Sequence, residues 1–178
     1  MNNPIYIKYH DEEWGVPSYD DKYLFEMLLL ESFQAGLSWE CVLNKREAFR
    51  KAFDNFDYKK IANYNESKII ELVNNKDIIR NKLKIKASIK NAKVFMNIQQ
   101  EYKSFSNYIW SFSNNEVIYN RSNEIITSNY LSDKISKDLK DKGMSFVGTT
   151  IIYSYLQAIG IINDHELTCD FRKKEIDV

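Results

Sequence analysis

Five glycines and two prolines in 178 residues leave this chain few places to turn, and its apolar residues recur mostly at three- and four-residue spacing. That pattern predicts an all-α protein. Asp20 and Asp21 can cap a helix running through Leu24, Phe25, Met27, Leu28 and Leu30 to about Ala35, where Gly36 suits the end. This helix is apolar on nearly every side, as a central helix must be. Ser38 can open a second helix ending near Asn55, a short helix follows Asp57, and residues 67–73 read as another. From Asn81 to about Glu101 a longer helix carries Ile85, Ile89, Ala92 and Met96 on one stripe. Lys82, Lys86, Lys90 and Lys93 form a second stripe that must face water or phosphate. Residues 108–112 give a short aromatic helix and 113–130 a polar surface loop.

Twenty-five Lys+Arg balance twenty-five Asp+Glu, which excludes a protein that clings to nucleic acid by bulk charge. The length predicts one domain spanning 1–178, large enough to bury a core without staples. Two cysteines, Cys41 and Cys169, make no disulfide framework, so a reducing, cytoplasmic setting is expected. Neither a signal peptide nor a membrane-length apolar run is present in the sequence.

Four features can carry chemistry. Residues 132–142 form an amphipathic helix, Gly143 sits where a left-handed cap belongs, a tight turn follows to Gly148, and Thr149 or Thr150 opens a second helix ended by Gly160. Such a glycine-bearing turn lets main-chain N–H groups approach a phosphate, or it simply joins two packed helices. Glu31 shares a helical face with Leu24, Met27 and Leu28, so its carboxyl must be ion-paired, neutral or facing a cleft. Tyr9, Trp14 and Trp39 offer rings for a flat ligand or for the core. His165 and Cys169 lie four apart, a zinc-like spacing, with His10 the other histidine.

The segments Tyr9-His-Asp-Glu-Glu-Trp-Gly-Val-Pro17, Leu30-Glu-Ser-Phe-Gln-Ala-Gly-Leu-Ser-Trp39, Lys45-Arg-Glu47 and Phe146-Val-Gly-Thr-Thr150 read together. With Ile78-Ile-Arg-Asn81 and Asn163-Asp-His165 in the same register, the chain resembles the DNA-3-methyladenine glycosylase I family from Pro4 to Cys169. The resemblance implies a compact multi-helix helix–hairpin–helix fold and a monofunctional base-excision enzyme. Its partner would be double-stranded DNA with an alkylated adenine, its product free 3-methyladenine, and its state a monomer. It further implies Glu31 as the pocket carboxylate, Tyr9, Trp14 and Trp39 as base-binding rings, and Gly143, Val147, Gly148 and Thr149 as the segment holding the duplex backbone.

The family commonly ties its chain ends with zinc, and His10, His165 and Cys169 match three of the ligands. The N-terminal cysteine of that set is missing, so three protein ligands bind zinc with water or another group, or the ends are held by packing alone. Met144-Ser145 stands where the family often has an aromatic residue and a lysine. The alternative functions are a non-catalytic helix–hairpin–helix module that recognises alkylated bases and a helical partner-binding protein. Seven acids and one base between residues 11 and 31, against seven bases and one acid between 76 and 93, show that the zero net charge is a sum of opposites. The expectation is a basic surface beside an acidic pocket.

Overall fold

The computed structural model describes residues 3–121 and 124–172. Among these the architecture is all-α, as the spacing predicts, with one two-stranded parallel pairing. Helix α1 (Pro4–Glu12) was not apparent from apolar spacing, because Tyr9 is its one buried residue while Ile5 and Ile7 are exposed. Its start is set locally: the Asn3 side chain accepts from the Ile5 amide, and Pro4 occupies the first turn, where an N–H is dispensable.

Helix α2 (Asp21–Gln34) begins where Asp20 accepts from the amides of Lys22 and Tyr23. Every residue from Leu24 to Phe33 is buried, which makes α2 the central helix. Its last carbonyls are satisfied from outside, since Lys84 Nζ donates to Phe33 O at 2.8 Å and Ala35 O at 2.6 Å. Gly36 then adopts a φ of +79°.

The single helix expected over 38–55 is instead two, α3 (Trp39–Leu43) and α4 (Arg46–Ala52). Lys45, at φ −101° and ψ 0°, breaks the register between them. The break lets Phe49 and Phe53 pack on Phe33 while Arg46 reaches Glu13 and Glu26. Apolar periodicity carries no signal for such a one-residue offset.

Asp57 caps α5 (Tyr58–Ile61), Asn65 caps α6 (Glu66–Asn74) and Asn81 caps α7 (Lys82–Tyr102). Ser104 starts α8 (Phe105–Ser111) three residues earlier than the aromatic run suggested. The loop after it holds β1 (Ile118–Tyr119), which pairs in parallel with β2 (Ile162–Asn163), Ile118 opposite Ile162. Strands of two residues leave no alternating pattern to read. Helix α9 (Tyr130–Asp141) starts two residues earlier than expected, at the reciprocal box of Asn129 and Ser132, and α10 (Thr149–Ala158) packs beside it.

One apolar cluster runs through the helices, with Phe95 stacked on Phe105 at 4.1 Å and Phe25 edge-on to Phe95 at 5.1 Å. Truncating such a buried ring costs about 3–5 kcal/mol. At the end of α10, Gly160 adopts a φ of +77°, and a Cβ there would lie 2.3 Å from Val16 C and Pro17 N. The chain leaving α1 is thereby pressed onto α10, where Gly15 N donates to Gln157 O and Ser18 N to Ile159 O. This seam fixes the α1 end of the site.

Candidate active site

Four helices converge on a cavity of about 730 Å³, a size suited to a small ligand. Helix α2 contributes Glu31 and, one turn later on the same face, Gln34; α1 contributes Tyr6 and Tyr9; α3 opens with Trp39; α10 supplies Gln157. Asp164 closes the far side.

Four buried side-chain polar atoms among the described residues lack any hydrogen-bond partner: Glu31 Oε2, Gln34 Oε1, Trp39 Nε1 and Asp164 Oδ1. All four belong to residues lining this one cavity. Unpaired buried polar atoms are costly and rare, each by about 1–3 kcal/mol, and they are tolerated together where a ligand completes them. Three acceptor oxygens and one N–H donor suit a polar ring that presents mostly donors.

Glu31 is 2% exposed and has no ion pair, which removes the structural salt bridge as its explanation. Burial pushes its carboxyl well above the usual carboxylate range. The same burial raises the Tyr9 phenol, helped by the nearby Glu31 charge. The ring centroids of Tyr9 and Trp39 lie 5.3 Å apart with planes at 52°. They meet in a corner and do not form a slot, so a flat ligand can lie on one face with the other at its edge.

The acidic character expected of the pocket is narrower than the sequence tally. Glu13 is held by Arg46 Nη1 at 2.8 and 2.9 Å, and Glu26 by Arg46 Nε at 2.6 Å and Arg50 Nη2 at 2.8 Å. Two of the seven acids are thus neutralised beneath the site, and Asp20 is spent on capping α2. Asp164 Oδ2 accepts from Tyr153 Oη and Gln157 Nε2, which aims Oδ1 into the cavity. Gln34, Gln157, Asp164 and Tyr6 received no role from the sequence. Gln34 was detectable as the residue one turn beyond Glu31, whereas Asp164 reads as an ordinary loop acid until the fold brings it to α2.

Trp14 stands at the cavity's edge, stacked on His10 at 5.7 Å and edge-on to His165 at 4.6 Å. It belongs as much to the histidines as to the pocket. One ligand atom each from His10, His165 and Cys169 lie within 4.8 Å of one another. His10 Nδ1 is 2.8 Å from Asp11 Oδ1, leaving its Nε2 as the candidate ligand, whereas His165 Nδ1 is 3.0 Å from Asn163 Oδ1 and its Nε2 3.3 Å from His10 O, a contact that a metal at Nε2 would replace. Burial holds His165 below the usual imidazole range, in the neutral form that binds metals. Cys41 sits on α3, outside this group.

The turn between α9 and α10 is braced from α7. Asn91 donates to Ser145 O and accepts from Ser145 N, both at 2.9 Å. Ser136 Oγ donates to Val147 O, and the Val147 side chain is buried. Gly143 adopts a φ of +102° and Gly148 caps α10 without a side chain. The Thr149 hydroxyl donates to Asp133, whereas the main-chain N–H groups of Val147, Gly148 and Thr149 donate to no other described residue.

The model of the "Methyladenine glycosylase" family matches residues 1–173. The chain belongs to the methyladenine glycosylase family. It is 47% identical over 170 residues to the DNA-3-methyladenine glycosylase 1 of Escherichia coli, covering 94% of this chain and 91% of that protein. It is 42% identical over 168 residues to the DNA-3-methyladenine glycosylase of Haemophilus influenzae, covering 93% and 91%. The solved structure of 3-methyladenine DNA glycosylase I from Staphylococcus aureus superposes with a TM-score of 0.95 at 35% identity, covering 98% of this chain and 95% of that one. The family and the all-α fold read from the sequence motifs therefore stand. Among the described residues of this methyladenine glycosylase family member, no helix is long and apolar enough to cross a membrane.

Proposed function

We propose that this chain is a monofunctional DNA glycosylase that extracts an N3-methylated adenine from duplex DNA and releases it by hydrolysis. The observation that carries this reading is the set of four unpaired polar atoms facing one aromatic-walled cavity. The homologous S. aureus protein was solved to explain 3-methyladenine recognition, which supports the same ligand here.

The chemistry asks little of the protein. An N3-alkylated adenine in DNA is cationic, so when the bond from its ring nitrogen to C1′ breaks, the bonding pair neutralises the ring and the base leaves neutral. Water adds to the oxocarbenium-like sugar and loses a proton to solvent. Among the described residues no lysine lines the cavity, in keeping with hydrolysis and no covalent sugar intermediate. The protein's task is to hold the everted base: a cationic ring stacks favourably on Tyr9 or Trp39 and favours ionised Glu31 beside it. Glu31→Gln keeps the shape but removes that charge, and the loss of a charge-assisted bond predicts an about 10- to 100-fold slower release of base. An unchanged rate would remove Glu31 from the mechanism.

The segment from α9 through Gly143, Val147, Gly148 and Thr149 to α10 is read as a helix–hairpin–helix element that receives the duplex backbone through its free main-chain N–H groups. His10, His165 and Cys169 fit zinc by donor type and proximity, with water or another group as the fourth ligand. The metal would join α1 to the chain's end and take no part in bond breaking. The chain is read as a cytoplasmic monomer of one domain.

A further inference from the structure

Residues 143–149 hold no cationic side chain, and Ser145 stands where the family often has lysine. The cation next in sequence, Lys142, is committed elsewhere: it pairs with Glu101 at 3.3 Å and lies over the rings of Tyr102 and Tyr108. Helix α7 supplies another. Lys90 Nζ lies 3.4 Å from Ser145 Oγ, and its stem passes under Gly143, where a Cβ would sit 3.9 Å from Lys90 Cε. The neighbouring Asn91, bonded twice to Ser145, fixes this register between helix and turn.

Lys90 is the middle of an exposed row. Lys86 precedes it by one turn and Lys93 follows it, and among the described residues none of the three is ion-paired, unlike Lys82, which lies 3.8 Å from Glu66. From 86 to 93 the helix rises about 10 Å, matching about three base-pair steps at 3.4 Å each.

We propose that Lys90, flanked by Lys86 and Lys93, supplies the positive charge that the 143–149 turn lacks, so that duplex DNA lies across the turn and the α7 face together. This rests on the duplex-binding reading above. The turn's N–H groups orient the backbone, and the lysines add the sequence-independent attraction. The basic surface thus begins at the turn and does not stand apart from it.

Fluorescence anisotropy of an undamaged duplex, titrated with salt, tests this on the full chain. Each phosphate contact steepens the fall of log affinity with log salt by about 0.9. Between 50 and 200 mM salt the wild type should therefore lose affinity about 40-fold more than Lys86→Gln/Lys90→Gln/Lys93→Gln, and about 3.5-fold more than Lys90→Gln alone. The triple arginine variant should keep the wild-type slope. A slope unchanged in the glutamine variants overturns the proposal, as does a slope lost equally with arginine, which would mean packing and not charge. Base release from alkylated DNA, measured alongside at saturating protein, separates the two readings. Wild type that binds duplex with the expected slope but frees no base sinks the enzyme reading alone. Release with an unchanged glutamine slope sinks this one alone.

Discussion

Glu31 is held in conflict with its surroundings, and the conflict has a pH signature. Burial raises its proton affinity in the folded chain above that of the unfolded chain. The folded state therefore binds the extra proton, and stability is lost as pH climbs from the ordinary carboxylate range towards the raised value. Below that range both states are protonated and the penalty vanishes. Glu31→Gln should accordingly melt higher than wild type at pH 7–8 and converge with it near pH 4. Each tenfold rise in proton affinity corresponds to about 1.4 kcal/mol, or about 3–6 °C of Tm in a chain of this size. Equal melting curves at pH 8 would show that the carboxyl is satisfied in solution. At this scale the sequence was most informative where chemistry was out of place: a carboxylate on an apolar face is visible without a fold. Asp164 and Gln157 were invisible because their significance depends on segments more than 120 residues from Glu31.

Among the elements, helices with side-chain caps and long apolar stripes were legible, since both signals are local. Asp20, Ser38, Asp57 and Asn81 cap where expected. Helix α1 and the α3–α4 break escaped because each serves a tertiary contact: α1 buries Tyr9 towards the cavity, and the break frees Arg46 to bind Glu13 and Glu26. The seam at Gly160 is of the same kind. It reads as a helix stop, yet its missing Cβ is what lets the Val16–Pro17 backbone close on α10. Gly160→Ala combines a disfavoured positive φ with a backbone overlap, together about 3 kcal/mol, so its Tm should fall by about 6–12 °C. A neutral outcome in thermal melts would mean that the α1–α10 seam is not closed in solution.

For the whole molecule, zero net charge conceals a division of labour. Acids of the first thirty residues are partly consumed by Arg46 and Arg50, while among the described residues Lys86, Lys90 and Lys93 of α7 have no ion pair, and Lys90 reaches the 143–149 turn. On the proposed function, a protein so arranged would meet DNA on one face and a cationic base in one cavity, without bulk attraction. Helix α1 and the segment after β2 meet at His10, His165 and Cys169. Elemental analysis of chelator-free protein should find about one zinc per chain, reduced in Cys169→Ser, with a lower Tm after chelation; metal-free protein unaffected by chelator would leave packing as the tie. On the proposed function, this cavity removes the base it binds. Chromatography after incubating the wild-type chain with methylated duplex DNA should show free 3-methyladenine accumulating over uncut, abasic strands. Tight binding with every alkylated base still attached would contradict it and leave a recognition module in place of an enzyme.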